Sequence, residues 1–316
     1  MRVKIKTRLG EEKLNNQECL MKIVEYNDNH DIVVEFQDNY KKRVKSTYYC
    51  FSNGQIKNPA FFNSRINEEL YNYQGCLMKI IEYNDSKNII VEFQDKYKAK
   101  INATYQRFLK GSIKNPYYPS VYNVGVIGVK YPRVTKGNKT TEYITWCGIL
   151  SRCFDEKEKI KSPTYKDITC CNEWLLYENF YEWLHSQPNF DKWLNGDRWA
   201  IDKDILVKGN KVYSSDTCCL VSQNVNTLFV KKDKNRGNLP IGVCKHGNTF
   251  QSLCQNPFTK KQEYLGSYNT IEEAFLEYKN YKEKIIKQVA QIEFDNGNIT
   301  KECYEAMMKY EVEITD

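Results

Sequence analysis

The residues with the clearest chemical potential stand in Trp199-Ala-Ile-Asp-Lys-Asp-Ile-Leu-Val-Lys-Gly-Asn. Asp202 and Asp204 flank Lys203, and two carboxylates this close could hold a divalent cation against a phosphate. A general base must also stand beside them, and Lys203 is poorly suited to that work. A lysine with a pKa near 10.4 has no free lone pair at neutral pH unless it is deeply desolvated. Only three histidines occur, His30, His185 and His246, and none lies in this stretch. The other reading of Asp202 and Asp204 is structural: they cap and brace a loop whose turn is Gly209-Asn210. Zinc chemistry is disfavoured. The twelve cysteines include the adjacent pairs Cys170-Cys171 and Cys218-Cys219 but no C-x2-C spacing. Buried, inert thiols are the expectation.

These residues sit in a chain too long for one small domain, at 316 residues with 41% hydrophobic content. Met1-Arg-Val-Lys-Ile-Lys is followed by no apolar h-region, and no apolar run approaches the length of a membrane span. The expectation is a cytoplasmic protein with reduced cysteines and no membrane contact. A formal charge of +7, from 47 basic and 40 acidic residues, permits nucleic-acid binding without requiring it.

A tandem duplication organises the first third. Cys19-Leu-Met-Lys-Ile-Val-Glu-Tyr-Asn-Asp recurs from Cys76, Val34-Glu-Phe-Gln-Asp from Val91, and Ile56-Lys-Asn-Pro from Ile113, always 57 positions on. Alternating apolar residues followed by Asn27-Asp28 predict a strand and a turn, with further strands over 32–36 and 40–44 and a helical turn near 46–51. The counterpart helical turn falls at 103–109, and 61–70 reads as a linker with a short helix. Lys41, Lys42 and Arg43, with Lys98 and Lys100, are candidate nucleic-acid contacts; a protein-binding or purely structural role is the alternative. Farther on, 124–129 reads as strand, and aromatic spacing predicts helices over 142–154 and 174–185.

The stretch from Trp199 to Asn226 resembles the HNH nuclease motif of phage homing-type endonucleases. In that family a strand ends in Asp-His, a loop follows, and a second strand leads into a helix. The resemblance puts Asp202 on the family's Asp and Lys203 where its catalytic His belongs, with Thr217 or Cys218 near the family's Asn and Asn224 or Asn226 at the closing helix. The motif is therefore degenerate, and no catalytic residue and no cofactor are expected. Farther on, Leu265-Gly-Ser-Tyr-Asn-Thr-Ile-Glu-Glu-Ala resembles the helix-entry motif of AP2-type DNA-binding domains, with Thr270 and Glu273 spaced as a capping box. That likeness implies a three-stranded sheet packed by a helix through Ala274, Phe275 and Tyr278. It also implies DNA contacts from Lys231, Lys232, Lys234, Arg236, Lys245, Gln251, Lys260, Lys261 and Gln262. Gln251, Ser252 and Gln255 replace the family's alternating Arg and Trp.

The expected fold class is α+β and multi-domain. Two small β-rich, barrel-like repeats occupy 1–66 and 67–122, and a degenerate HNH-like α+β module occupies 123–235. An AP2-like three-stranded sheet plus helix spans 236–290, and a helical acidic tail spans 291–316. The leading functional expectation is a phage-type, non-catalytic binding protein built on an HNH–AP2 homing-endonuclease plan, with double-stranded DNA as partner. An alternative is a viral anti-defence protein that blocks a host defence protein complex, such as a Gabija-type nuclease system, by protein–protein binding. A second alternative is an active metal-dependent endonuclease. A homo-oligomer is compatible with each.

Overall fold

The computed structural model of the chain describes residues 8–61, 65–230 and 239–315. It is a mixed α+β structure with several small sheets, in two compact units, Met1–Tyr118 and Pro119–Asp316.

The first unit holds the duplication. Strands β1 (Glu12–Leu14), β2 (Leu20–Asp28), β3 (Asp31–Phe36) and β4 (Arg43–Ser46) form an antiparallel sheet in sequence order, closed by helix α1 (Tyr48–Ser52). Strands β5 (Glu69–Tyr71), β6 (Leu77–Asp85), β7 (Asn88–Phe93) and β8 (Lys100–Ala103) repeat the sheet, and α2 (Tyr105–Leu109) repeats the helix. Period-two alternation is the cause: Met21, Ile23, Ile32, Val34 and Phe36 are fully buried on one face, as are Met78, Ile80, Ile89, Val91 and Phe93. The bulge between Ile23 and Glu25 returns between Ile80 and Glu82.

Polar staples are copied as faithfully as the core. Asn15 Nδ2 donates to Ile56 O at 2.8 Å while its Oδ1 accepts from Cys19 N at 2.8 Å. Asn72 does the same with Ile113 O and Cys76 N, at 2.8 Å each. Asn58 donates to Asp38 at 2.6 Å, and Asn115 to Asp95 at 2.7 Å. Arg8 bonds the Tyr48 hydroxyl, which donates to Glu11; Arg65, Tyr105 and Glu68 repeat that trio. The repeat thus reaches back at least to Arg8, well before the first shared motif.

Several expectations change. The described strands form open meanders with β1 and β4 at opposite edges, not closed barrels. Residues 40–42 lie in a turn, where Asp38 accepts from Tyr40 N and Lys41 N, so the strand starts at Arg43. In the linker, Glu69–Tyr71 is a strand because it pairs with Leu77–Lys79.

The second unit begins without the strand expected at 124–129. Only isolated bridges form, Val121 with Gly125 and Val126 with Leu176. Gly128, at φ +79°, explains the irregular path: a Cβ there would lie 2.2 Å from Glu178 Oε1. That carboxylate accepts from Val129 N at 2.8 Å and Lys130 N at 2.7 Å, which compensates its burial. After the small ribbon of β9 (Val134–Thr135) and β10 (Asn138–Lys139) come α3 (Thr141–Phe154), α4 (Glu156–Lys161), β11 (Thr169–Cys170), α5 (Tyr177–His185) and α6 (Phe190–Leu194). The helix expected over 174–185 starts as a 3-10 turn, Glu173–Leu175, before α5. Trp146, Trp174, Tyr177 and Phe180 fill the core between α3 and α5, and Trp146 Nε1 donates to Trp174 O at 2.7 Å.

Next, β12 (Trp199–Asp202) pairs antiparallel with β14 (Cys219–Ser222), β13 (Val212–Tyr213) pairs with β11, and α7 (Gln223–Leu228) follows β14 directly. Strands β15 (Val243–His246), β16 (Thr249–Gln255) and β17 (Gln262–Tyr268) make a three-stranded antiparallel sheet. Helix α8 (Ile271–Asp295) crosses it, and α9 (Lys301–Met308) packs on α8. Ala274, Phe275 and Tyr278 meet Val243 and Cys254 of the sheet. Farther along, Ile285, Ile286, Val289 and Ala290 join Ile205, Val221, Val225 and Leu228 in another core. The expected boundary at 235/236 therefore cuts through a shared core, and the boundary at 290/291 falls inside α8. Nor is the acidic end loose: Val312 is buried, donates its N–H to Glu283, and accepts from Lys279 at 2.9 Å.

The copied Asn staples generate a test. Asn15→Ala should cost about 1–3 kcal/mol by stranding buried backbone groups, and Asn72→Ala should cost the same. Amide hydrogen exchange checks this: Cys19 N–H should speed up in the first variant alone and Cys76 N–H in the second alone.

Candidate functional site

The loop between β12 and β13 holds its carboxylates by its own backbone. Asp202 Oδ1 accepts from Asp204 N at 2.7 Å and Ile205 N at 2.9 Å, turning the chain as soon as β12 ends. Lys203 Nζ donates to Asp204 Oδ2 and to Asn210 O, both at 2.8 Å, and its side chain is largely covered. Asn210 returns a bond from Nδ2 to Lys203 O at 2.9 Å and a second to Val212 O at 2.7 Å. Gly209 takes φ +72°, as its place in the turn requires. Asp202, Lys203 and Asp204 thus hold the turn that Gly209 and Asn210 complete.

Burial pushes the Asp202 carboxyl above the usual carboxylate range, helped by the charge of Asp204 and opposed by the two backbone donors and Lys203. The histidines lie elsewhere. His30 is exposed in the β2–β3 turn and His246 is exposed at the end of β15. His185, closing α5, stacks on Tyr181, packs at a tilt against Phe190 and faces Glu142 at 3.4 Å. Among the described residues no cluster of three or more His, Cys, Asp or Glu is arranged to hold a metal ion. Burial raises the thiols instead: Cys153 is pushed up to about 11 and Cys218 to about 12. Cys219 and Cys303 touch through their sulfurs at 3.8 Å inside the core that α8 shares with β14.

The three-stranded sheet sorts the expected DNA contacts by face. Its pairing aligns Cys244, Gln251 and Ser267 in one row and Lys245, Phe250 and Tyr268 in the next. Phe250 and Tyr268 pack with the α8 core, so Lys245, although exposed, springs from the covered side. Gln251 and Gln262 share the opposite face with Gln255, which pairs directly with Gln262, and with Tyr264. No Lys or Arg lies on that face among the described residues. Lys260 and Lys261 are exposed in the β16–β17 turn, where Asn256 Oδ1 accepts from Phe258 N and Thr259 N and Lys260 takes φ +58°. Lys231, Lys232, Lys234 and Arg236 lie outside the described residues.

In the first unit, Arg43 pairs with Glu35 at 2.8 Å, Lys41 bonds Gln37 at 3.2 Å and Lys98 bonds Gln94 at 2.8 Å. Those cations are partly engaged within their own modules. Sequence reasoning missed Lys282, buried on α8, and set Ser252 beside Gln251 and Gln255, whereas Ser252 is fully buried on the covered face and its Oγ has no hydrogen-bond partner among the described residues. Lys282 is concealed by a regular helical pattern, and Ser252 sits where the pairing of β16 with β17 shifts register, between Ser252 and Leu253.

The architecture defines a mixed α+β protein with one loop of interlocked charges and one amide-rich sheet face. No known family model matches the chain, nor does any curated protein or solved structure compared with it.

A titration consequence follows from Asp202. Its raised folded-state pKa means that the native chain holds this proton more tightly than the unfolded chain. The associated stability is complete below the unfolded value near 3.8 and is lost as pH rises through the folded value. Asp202→Asn keeps an oxygen for both backbone donors and removes the charge. Thermal melts should show parity with the parent in acid and equal or greater stability at neutral pH; a clear loss at neutral pH would mean the carboxylate charge itself is needed.

Proposed function

We propose that this chain is a non-catalytic nucleic-acid-binding protein on the plan of an HNH–AP2 homing endonuclease, with duplex DNA as its partner. The observation that carries the reading is the row of amides on the open sheet face, Gln251, Gln255 and Gln262, ending at the exposed Lys260 and Lys261. Amides can bond base edges, and lysines neutralise phosphates. The AP2 resemblance gains support from the sheet-plus-helix order and from the formed capping box: Thr270 Oγ1 accepts from Glu273 N at 3.2 Å, and Glu273 Oε2 from Thr270 N at 3.2 Å. The HNH resemblance is favoured by the order β12, a connection that carries only the short β13, β14 and α7, close to the family's strand, loop, strand and helix. Absence of catalysis is supported by the loop bonds that occupy Asp202 and Lys203.

A second reading, blockade of a host defence complex through protein contact, is favoured by exposed tyrosines in the first unit: Tyr49, Tyr71 and Tyr73, the last 83% exposed. Pull-down from nuclease-treated and untreated lysate separates the two readings, since only a DNA-mediated catch vanishes with nuclease.

Two outcomes are expected of the leading reading. Plasmid incubated with magnesium or manganese stays uncut; nicking that disappears in Asp202→Ala would reverse this. Duplex binding is weak and falls with salt at a log–log slope of about −0.9 per phosphate contacted. Replacing Lys260 and Lys261 together by Ala should flatten that slope by about one to two units. A parent slope near zero in a filter-binding series would defeat the DNA reading and leave protein contact as the leading one.

A further inference from the structure

Within the second unit, a cleft of about 550 Å³ opens between α7, the sheet and the middle of α8. That volume suits a small organic ligand. Its walls are apolar where Leu228, Ile241, Leu253 and Tyr278 meet. Two cations reach it, Lys260 from the β16–β17 turn and Lys282 from α8, and no Asp or Glu is among its described lining residues.

Lys282 is the unusual member. It is only 8% exposed and has no hydrogen bond or ion pair among the described residues. Burying an ammonium without a counter-charge is costly, and a bound anion offsets that cost. Burial accordingly holds the Lys282 ammonium below the usual lysine range, with Cys254 opposing the shift. The lining also contains the amides of Gln255, Gln262 and Asn224, whose side chains make no bond among the described residues. Asn256, by contrast, is committed to Tyr281, Glu263 and its own turn.

Two cations with no Asp or Glu among the described lining residues suit a dianionic phosphate better than a single carboxylate. Apolar walls with free amides suit a flat heterocycle whose edge carries donors and acceptors. We propose that this cleft binds a nucleoside monophosphate, free or as the 5′-phosphorylated end of a strand, with the phosphate on Lys282 and Lys260 and the base among the apolar walls and amides. The cleft shares Gln255, Gln262 and Lys260 with the surface assigned to duplex DNA, but Lys282 belongs to the cleft alone, so Lys282→Met tests the cleft apart from duplex binding.

Calorimetric titration of the full chain tests this with the four common nucleoside 5′-monophosphates, the corresponding nucleosides and inorganic phosphate. At least one monophosphate should bind; its nucleoside, which lacks the charge-assisted contacts, and inorganic phosphate, which lacks the base, should each bind about tenfold or more weakly. Lys282→Met keeps the aliphatic stem and should weaken monophosphate binding by about tenfold or more. Lys260→Ala, at an exposed position that cannot disturb the core, should weaken it severalfold. A 5′-phosphorylated single strand that competes with the mononucleotide, where its unphosphorylated twin does not, identifies a strand end as a source; competition by neither strand identifies the free nucleotide. No heat with any monophosphate, or affinity unchanged in both lysine variants, overturns the proposal.

Discussion

Helix α8 must satisfy two different partners along one length, and the second unit is arranged around that demand. Its early turns lay Ala274, Phe275 and Tyr278 on the three-stranded sheet, and its later turns lay Ile285, Ile286, Val289 and Ala290 against β14, α7 and α9. Each apolar stripe is too narrow to stand alone, since an isolated helix owes most of its stability to packing. The sheet, the strand–loop–strand–helix element and the C-terminal helix are held in one body because they share this helix. Lys282 lies between the two stripes, at the point where neither core supplies it with a partner.

Much of this was legible in the sequence wherever the signal was local or copied. The duplication told of paired sheets because hydrophobic alternation and turns recur together, and the capping box told where α8 begins. What escaped was non-local. The strands β1 and β5 have no alternation to reveal them; they exist because Glu12–Leu14 and Glu69–Tyr71 find partners in β2 and β6. Val124–Val129 looked strand-like by composition, but a glycine pressed against Glu178 bends it out of any sheet. The boundary drawn after the HNH-like stretch followed motif edges, whereas the core follows α8.

The candidate site divides in the same way. That Lys203 stands between two carboxylates was visible from residue identity alone, while the bonds by which Asp202, Lys203 and Asn210 pin the loop needed the structure. The placement of Lys245 on the covered side of the sheet could not be read without register, because one residue of slip exchanges the faces of a strand. Lys282 offered no signal, since a lysine within a helix full of lysines resembles any solvated position.

The doubled module has a consequence for its history. Its interior is nearly a photocopy, down to the side-chain amides that pin each sheet, yet its skin has drifted: Leu14 became Tyr71, Asn16 became Tyr73, and Tyr49 became Gln106, whichever copy came first. Packing and internal bonding tolerate little change, whereas exposed positions are nearly free of such constraint. The two halves of the first unit are therefore one chassis carrying two different liveries, and whatever meets the first copy encounters a different surface on the second.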